Sequence, residues 1–195
     1  MNLPNKITIS RIILSIIVLI LLIIPLERLG INLKDVVFTP SLRVNVKYLI
    51  CGILFLIASV TDFVDGRIAR KYNMVTDFGK IMDAIADKLL VNGVLIILAC
   101  QGFVNVIIPV VIVSRDIIVD SIKMVAGEKG GAVAASKAGK IKTVLMMIGV
   151  TMLLFYNIPF EIWGLRVADM LVMTATVFSV VSGVEYYINN KKYLL

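Results

Sequence analysis

The chain reads as an all-α integral membrane protein, a bundle of six transmembrane helices with both termini in the cytoplasm. Three observations predict this. Hydrophobic residues make up 59% of the chain and charged residues only 17%, outside the usual balance of a soluble domain. The apolar residues fall in long runs that charged residues interrupt. Lysine and arginine are also divided unequally between the two sets of connections, as they are when one side of a membrane faces the cytoplasm.

The first apolar run leads to Pro25 and charged residues without a small-residue cleavage site, so it reads as a retained span and not a secretory signal. Further apolar stretches cover roughly 48–60, 89–100, 104–113, 144–155 and 167–184. Several are shorter than the ~20 residues that a crossing helix needs. Those helices must therefore continue into their polar flanks, which places the flanking charges near the membrane surface. The uncharged turn at Gln101 and Gly102 suits a tight extracytoplasmic hairpin. One face then carries Lys6, Arg11, Arg67, Arg70, Lys71, Lys80, Lys88, Arg115, Lys123, Lys129, Lys137, Lys140, Lys142, Lys191 and Lys192. The other carries only Arg28, Lys34, Arg43, Lys47 and Arg166. No linker, low-complexity segment or repeat divides the chain, so residues 1–195 read as one domain.

The net charge of +7 does not suggest nucleic acid, because the basic residues punctuate apolar runs instead of forming a soluble basic face. Anionic lipid headgroups and phosphorylated substrates suit it better. Cys51 and Cys100 each lie inside an apolar run and make neither a disulfide framework nor a zinc site. Histidine is absent. Acid–base chemistry therefore falls to carboxylates, lysine, tyrosine or cysteine.

The stretch DFVDGRIARKYNMVTDFGKIMDAIAD, residues 62–87, stands out against this apolar background. If the second helix continues past Val60, then Asp62, Asp65, Gly66, Ala69 and Arg70 share one helical stripe. The pattern breaks at 73–77, where Thr76 or Asp77 can cap the next helix. On that helix Gly79, Asp83 and Asp87 recur every four residues. Two antiparallel helices would thus bring four carboxylates together. Such a cluster repels itself, and Arg67 and Arg70 offset it only in part. Oxygen ligands without histidine or cysteine suit hard divalent cations, Mg²⁺ or Mn²⁺. A pair of such ions clamps the attacking and leaving oxygens in displacements at phosphorus, and the glycines let a nucleotide or diphosphate approach the backbone. Ordinary solvated charges are the alternative. Eight fixed residues at this spacing, however, arise by chance on the order of once per billion starting points at average composition.

That spacing, D..DG..AR........G...D...D, resembles the signature of the CDP-alcohol phosphotransferases, membrane enzymes of phospholipid biosynthesis that release CMP from a CDP-linked donor. The resemblance implies that Asp62, Asp65, Asp83 and Asp87 bind two divalent cations over the donor diphosphate. It further implies that Asp87 is the general base on the acceptor hydroxyl, and that Gly66, Ala69, Arg70 and Gly79 cradle the CDP group. The opening PNKITISR is similar to that of the family's bacterial phosphatidylglycerophosphate synthases, which places Asn5 and Thr8 with the CDP-binding residues. Arg11 follows on a partly shared face, though it also suits snorkelling to a lipid phosphate.

A second cationic group, Arg115, Lys123, Lys137, Lys140 and Lys142, is expected to hold an acceptor phosphate. Its alternative role is anchoring to anionic lipid. Phosphatidylglycerophosphate synthases commonly have Arg-Glu where this chain has Arg115 and Asp116, and often Arg where Lys123 stands. The resemblance implies transfer of a phosphatidyl group from CDP-diacylglycerol to sn-glycerol 3-phosphate, by a homodimer in the bacterial cell membrane with its active site on the cytoplasmic side. Inositol phosphate, serine or phosphatidylglycerol are the alternative acceptors. A membrane prenyltransferase would have a denser DDxxD-like run, and a divalent-cation transporter would not group its Asp residues with Gly and Arg at one membrane edge.

Overall fold

A computed structural model describes residues 3–26, 30, 33, 35–39, 42–72, 76–129 and 136–194, with the backbone alone at 3, 4, 38, 39, 42, 68–70, 77 and 80. Among these residues the chain runs α1 (Leu3–Ile23), β1 (Val36–Thr39), β2 (Leu42–Val44), α2 (Val46–Lys71), α3 (Asp77–Cys100), α4 (Ile107–Glu128), α5 (Lys137–Leu154) and α6 (Val167–Leu194). A short 3-10 turn, Phe160–Trp163, precedes α6.

The protein is nearly all-α, and its helices do extend into their polar flanks. Helix α2 runs unbroken through Asp62, Asp65 and Gly66 to Lys71. Helix α3 starts where the apolar pattern broke, with Thr76 Oγ1 accepting from the Gly79 amide at 3.0 Å, which satisfies one of the amides orphaned at a helix start. Ser136 caps α5 in the same way through the Gly139 amide at 3.0 Å. The hairpin β1–β2 is a correction to the all-α expectation. Val36 pairs with Val44 and Val37 with Arg43, antiparallel, in a short run rich in β-branched residues that favours extended backbone.

Helix α1 lies against both α2 and α3, which barely meet each other; α6 packs on α4 and α5, and α2 also meets α5. Phe55, Leu90, Leu95, Leu98, Met146 and Leu154 form part of the buried core. The α5–α6 contact is tight. A Cβ on Gly149 would fall 2.7 Å from Val172 Cγ2 and 3.2 Å from the Val172 amide nitrogen. Large apolar side chains also point outward, among them Ile13, Ile20, Ile53, Ile57, Val177 and Val181. Asn5–Ile23, Val46–Arg67 and Val167–Leu194 are long and apolar enough to cross a membrane, where such a surface meets lipid instead of water.

Candidate active site

The interface of α1 with α2 and α3 gathers Asp62, Asp65 and Asp83, whose nearest carboxylate oxygens all lie within 4.8 Å of one another. Their donors are all oxygen, the set a hard divalent cation prefers. Asp65 is buried, Asp62 is partly exposed and Asp83 is exposed. The sequence expectation had two helices assembling this cluster. A third takes part, because α1 lies against both and inserts Arg11 among the carboxylates.

Arg11 is 2% exposed and ion-pairs with all three. Its Nη2 donates to Asp65 Oδ2 at 3.2 Å and to Asp83 Oδ1 at 2.5 Å, and its Nη1 pairs with Asp62. It does not snorkel to the surface. Turned inward, its charge offsets the mutual repulsion of the three carboxylates, most strongly at the buried Asp65.

Thr8 and Asn5, one and two turns earlier on α1, fix this arrangement. Thr8 Oγ1 donates to Asp65 Oδ2 at 3.4 Å. Asn5 exchanges hydrogen bonds with the Thr76 hydroxyl at 3.1 and 3.2 Å, tying the start of α1 to the cap of α3. Gly79 makes this approach possible, since a Cβ there would lie 2.7 Å from Asn5 Oδ1 and 3.0 Å from Thr76 Oγ1. Gly66 is partly buried on α2, one residue beyond Asp65. The side chains of Ala69 and Arg70 lie outside the described residues.

Asp87 stands one helical turn beyond Asp83 on α3 and outside the close trio. Its electrostatic neighbours are Arg11 and Asp83 from the acidic cluster, and Lys142 and Asp116 from α5 and α4. It also lines a cavity of about 280 Å³ whose walls include Lys88, Arg115, Asp116, Asp120, Lys123, Lys140, Lys142 and Tyr186. Asp87 therefore borders both an acidic cluster and a basic cavity.

The cavity's cations are held by specific partners. Arg115 Nε donates to the Ser179 carbonyl at 3.0 Å, Nη2 to Ser182 Oγ at 2.5 Å and Nη1 to Asp116 Oδ1 at 3.0 Å. Its aliphatic stem runs beside Gly183, where a Cβ would lie 3.1 Å from Arg115 Cγ. Lys142 Nζ donates to Asp116 Oδ1 at 2.9 Å, and Asn92 Nδ2 donates to Oδ2 at 3.3 Å. Lys88 pairs with Asp120. The Tyr186 ring centroid lies 5.1 Å from Lys123 Nζ and 5.7 Å from Arg115 Cζ, and the Tyr186 hydroxyl accepts from the Ser136 amide at 3.2 Å.

Of the cations expected at an acceptor site, Arg115, Lys123, Lys140 and Lys142 line the cavity. Lys137, exposed on the first turn of α5, does not. Asn92, Asp116, Ser182 and Tyr186 were not among the site residues expected from sequence. Spacing offered a signal for some of these residues: Lys88 and Asn92 are four apart on α3, and Asp116, Asp120 and Lys123 fall at i, i+4 and i+7 on α4. Ser182 and Tyr186 gave no such signal toward Arg115, because the α4–α6 contact that joins them is not local in sequence.

An acidic cluster near the helix ends, a carboxylate bordering it and a cationic cavity beyond have the chemistry that transfer of a phosphate group between two substrates calls for. The chain belongs to the CDP-alcohol phosphatidyltransferase family, whose pattern matches residues 1–182. It is 43% identical over 189 residues to a Bacillus subtilis (strain 168) protein, covering 97% of this chain and 95% of that one. Identity is 33% to a Rickettsia felis protein, covering 98% of this chain and 97% of that one. A Mycoplasma genitalium protein is 32% identical, covering 91% of this chain and 72% of its own length. All three are named CDP-diacylglycerol--glycerol-3-phosphate 3-phosphatidyltransferase.

Proposed function

We propose that the protein transfers a phosphatidyl group from CDP-diacylglycerol to sn-glycerol 3-phosphate, giving phosphatidylglycerophosphate and CMP. The observation that carries this reading is the position of Asp87 between the acidic cluster and the basic cavity. A donor diphosphate held at the first and an acceptor phosphate held in the second would meet at this carboxylate.

The oxygen-only donor set and close spacing of Asp62, Asp65 and Asp83 suit divalent ions, Mg²⁺ or Mn²⁺, with Asp87 completing a site for two. Bound there, such ions would draw negative charge from the diphosphate and favour departure of CMP. Gly66, Ala69, Arg70 and Gly79, with Asn5 and Thr8, are the residues we assign to the CDP group. Arg115, Lys123, Lys140 and Lys142 take the acceptor phosphate, and Lys137 adds positive charge at the approach. Asp87 removes the proton from the acceptor's primary hydroxyl. That oxygen forms a bond to the phosphatidyl phosphorus as the bond from phosphorus to the CMP oxygen breaks. The charge asymmetry of the connections supports six spans with both termini and the site at the cytoplasmic face. We read residues 1–195 as one catalytic domain, working as a homodimer in the bacterial cell membrane.

The test is CMP release by the full chain in detergent with CDP-diacylglycerol and Mg²⁺, offering glycerol 3-phosphate, inositol phosphate, serine and phosphatidylglycerol in turn. Turnover is expected with glycerol 3-phosphate. Turnover with serine and none with glycerol 3-phosphate would defeat the assignment.

A further inference from the structure

We propose that Asp116 sets acceptor specificity: it gives up Lys142 to the acceptor's phosphate and accepts the acceptor's middle hydroxyl in exchange. The site would then select a polyol monophosphate over a plain hydroxyalkyl phosphate. This rests on the reading of the cavity as the acceptor site.

Asp116 is 9% exposed, and its Oδ1 alone accepts from both Arg115 Nη1 at 3.0 Å and Lys142 Nζ at 2.9 Å. A phosphate entering the cavity competes with Asp116 for these two cations. Arg115 is pinned by its bonds to the Ser179 carbonyl and Ser182 Oγ, whereas Lys142 is held among the described residues by Asp116. A lysine's flexible stem lets its ammonium turn to a new partner. Lys142 is therefore the group that transfers, leaving Oδ1 short of one donor. A buried carboxylate that loses a donor is destabilised unless another replaces it.

The acceptor can supply that replacement. Asp87 and Asp116 together line both the large cavity and a small adjoining one of about 30 Å³, with Lys142 also in both walls. An acceptor with its reacting hydroxyl at Asp87 and its phosphate among the cations must pass its middle carbon by Asp116. A hydroxyl on that carbon donates to Oδ1, while Asn92 keeps its bond to Oδ2. An acceptor without that hydroxyl leaves the carboxylate short, and a site built to bond a hydroxyl discriminates against the analogue that lacks it.

The experiment compares kcat/KM for sn-glycerol 3-phosphate and 3-hydroxypropyl phosphate, the same skeleton without the middle hydroxyl. The full chain is assayed in detergent with CDP-diacylglycerol and Mg²⁺. Wild type is expected to prefer glycerol 3-phosphate by about tenfold or more, and D116N to bring the two toward parity. A carboxylate that merely steadies the cations would, on substitution, weaken both acceptors alike and leave their ratio unchanged. Equal use of both acceptors by wild type, or a wild-type ratio in D116N, overturns the proposal. If D116N turns over neither acceptor, D116S takes its place, its short hydroxyl lacking the carboxylate and expected to lower the ratio severalfold; an unchanged ratio again overturns it. If both variants are silent, the wild-type ratio decides. Failure of the underlying acceptor reading looks different: wild type would release no CMP with glycerol 3-phosphate while another acceptor supported turnover.

Discussion

Arg11 Nη2 lies 2.5 Å from Asp83 Oδ1, across 72 positions of sequence, with the arginine side chain 1% exposed. The same guanidinium also pairs with Asp62 and Asp65, so α1 supplies the counter-charge that α2 and α3 need in order to bring their carboxylates together.

Arg11→Met removes that counter-charge from a cluster that includes the buried Asp65. The expected loss is roughly 3 kcal/mol, the lower end for breaking a buried pair, because Asp83 is half exposed and better screened. Divalent cations should restore part of the loss. Thermal unfolding in detergent, with Mg²⁺ and with EDTA, checks both statements. A variant that gains no more from Mg²⁺ than wild type would rule out this role for Arg11.

Asp83→Asn and Asp87→Asn should each remove turnover by different routes. Asp87→Asn is expected to lower kcat by about 10²- to 10⁴-fold, the usual contribution of a positioned acid or base, in a protein that still elutes and unfolds like wild type. Asp83→Asn should also raise the Mg²⁺ concentration needed for half-maximal Mg²⁺-dependent thermal stabilisation. Near-normal activity in both variants would contradict the roles given to them.

Gly79→Ala puts a methyl group where Asn5 Oδ1 would be 2.7 Å away. It should destabilise the protein by about 1–3 kcal/mol through overpacking. Shortening Asn5 to Ala removes the clash, so the double variant should lose less than the sum of the singles. Strict additivity in melting experiments would mean that the two residues do not press on each other.

Ser182→Ala takes away the partner of Arg115 Nη2, bonded at 2.5 Å, without touching the acidic cluster. A bond to a charged group contributes about 1.5–3 kcal/mol. KM for glycerol 3-phosphate should therefore rise on the order of tenfold, with kcat little altered, the pattern of lost uniform binding. A fall confined to kcat would place Arg115 elsewhere in the reaction.

Much of this protein is legible in its sequence, because the informative signals are local. Apolar runs mark the helices, and the four-residue spacing of Gly79, Asp83 and Asp87 puts them on one face of α3. Thr76 announces the start of that helix through a bond to Gly79, three residues on. The chain by itself thus determined the helices, the acidic signature and the family.

Only the tertiary structure decided which helices became neighbours. It set α1 between α2 and α3, so that Arg11 compensates the acidic trio. It also set α4 against α6, so that Ser179 and Ser182 aim Arg115, and brought Asn92 from α3 and Lys142 from α5 onto Asp116. Helical periodicity says which side chains share a face, not which other face they meet. That depends on how whole apolar surfaces and small residues such as Gly149 and Gly183 fit together across the bundle.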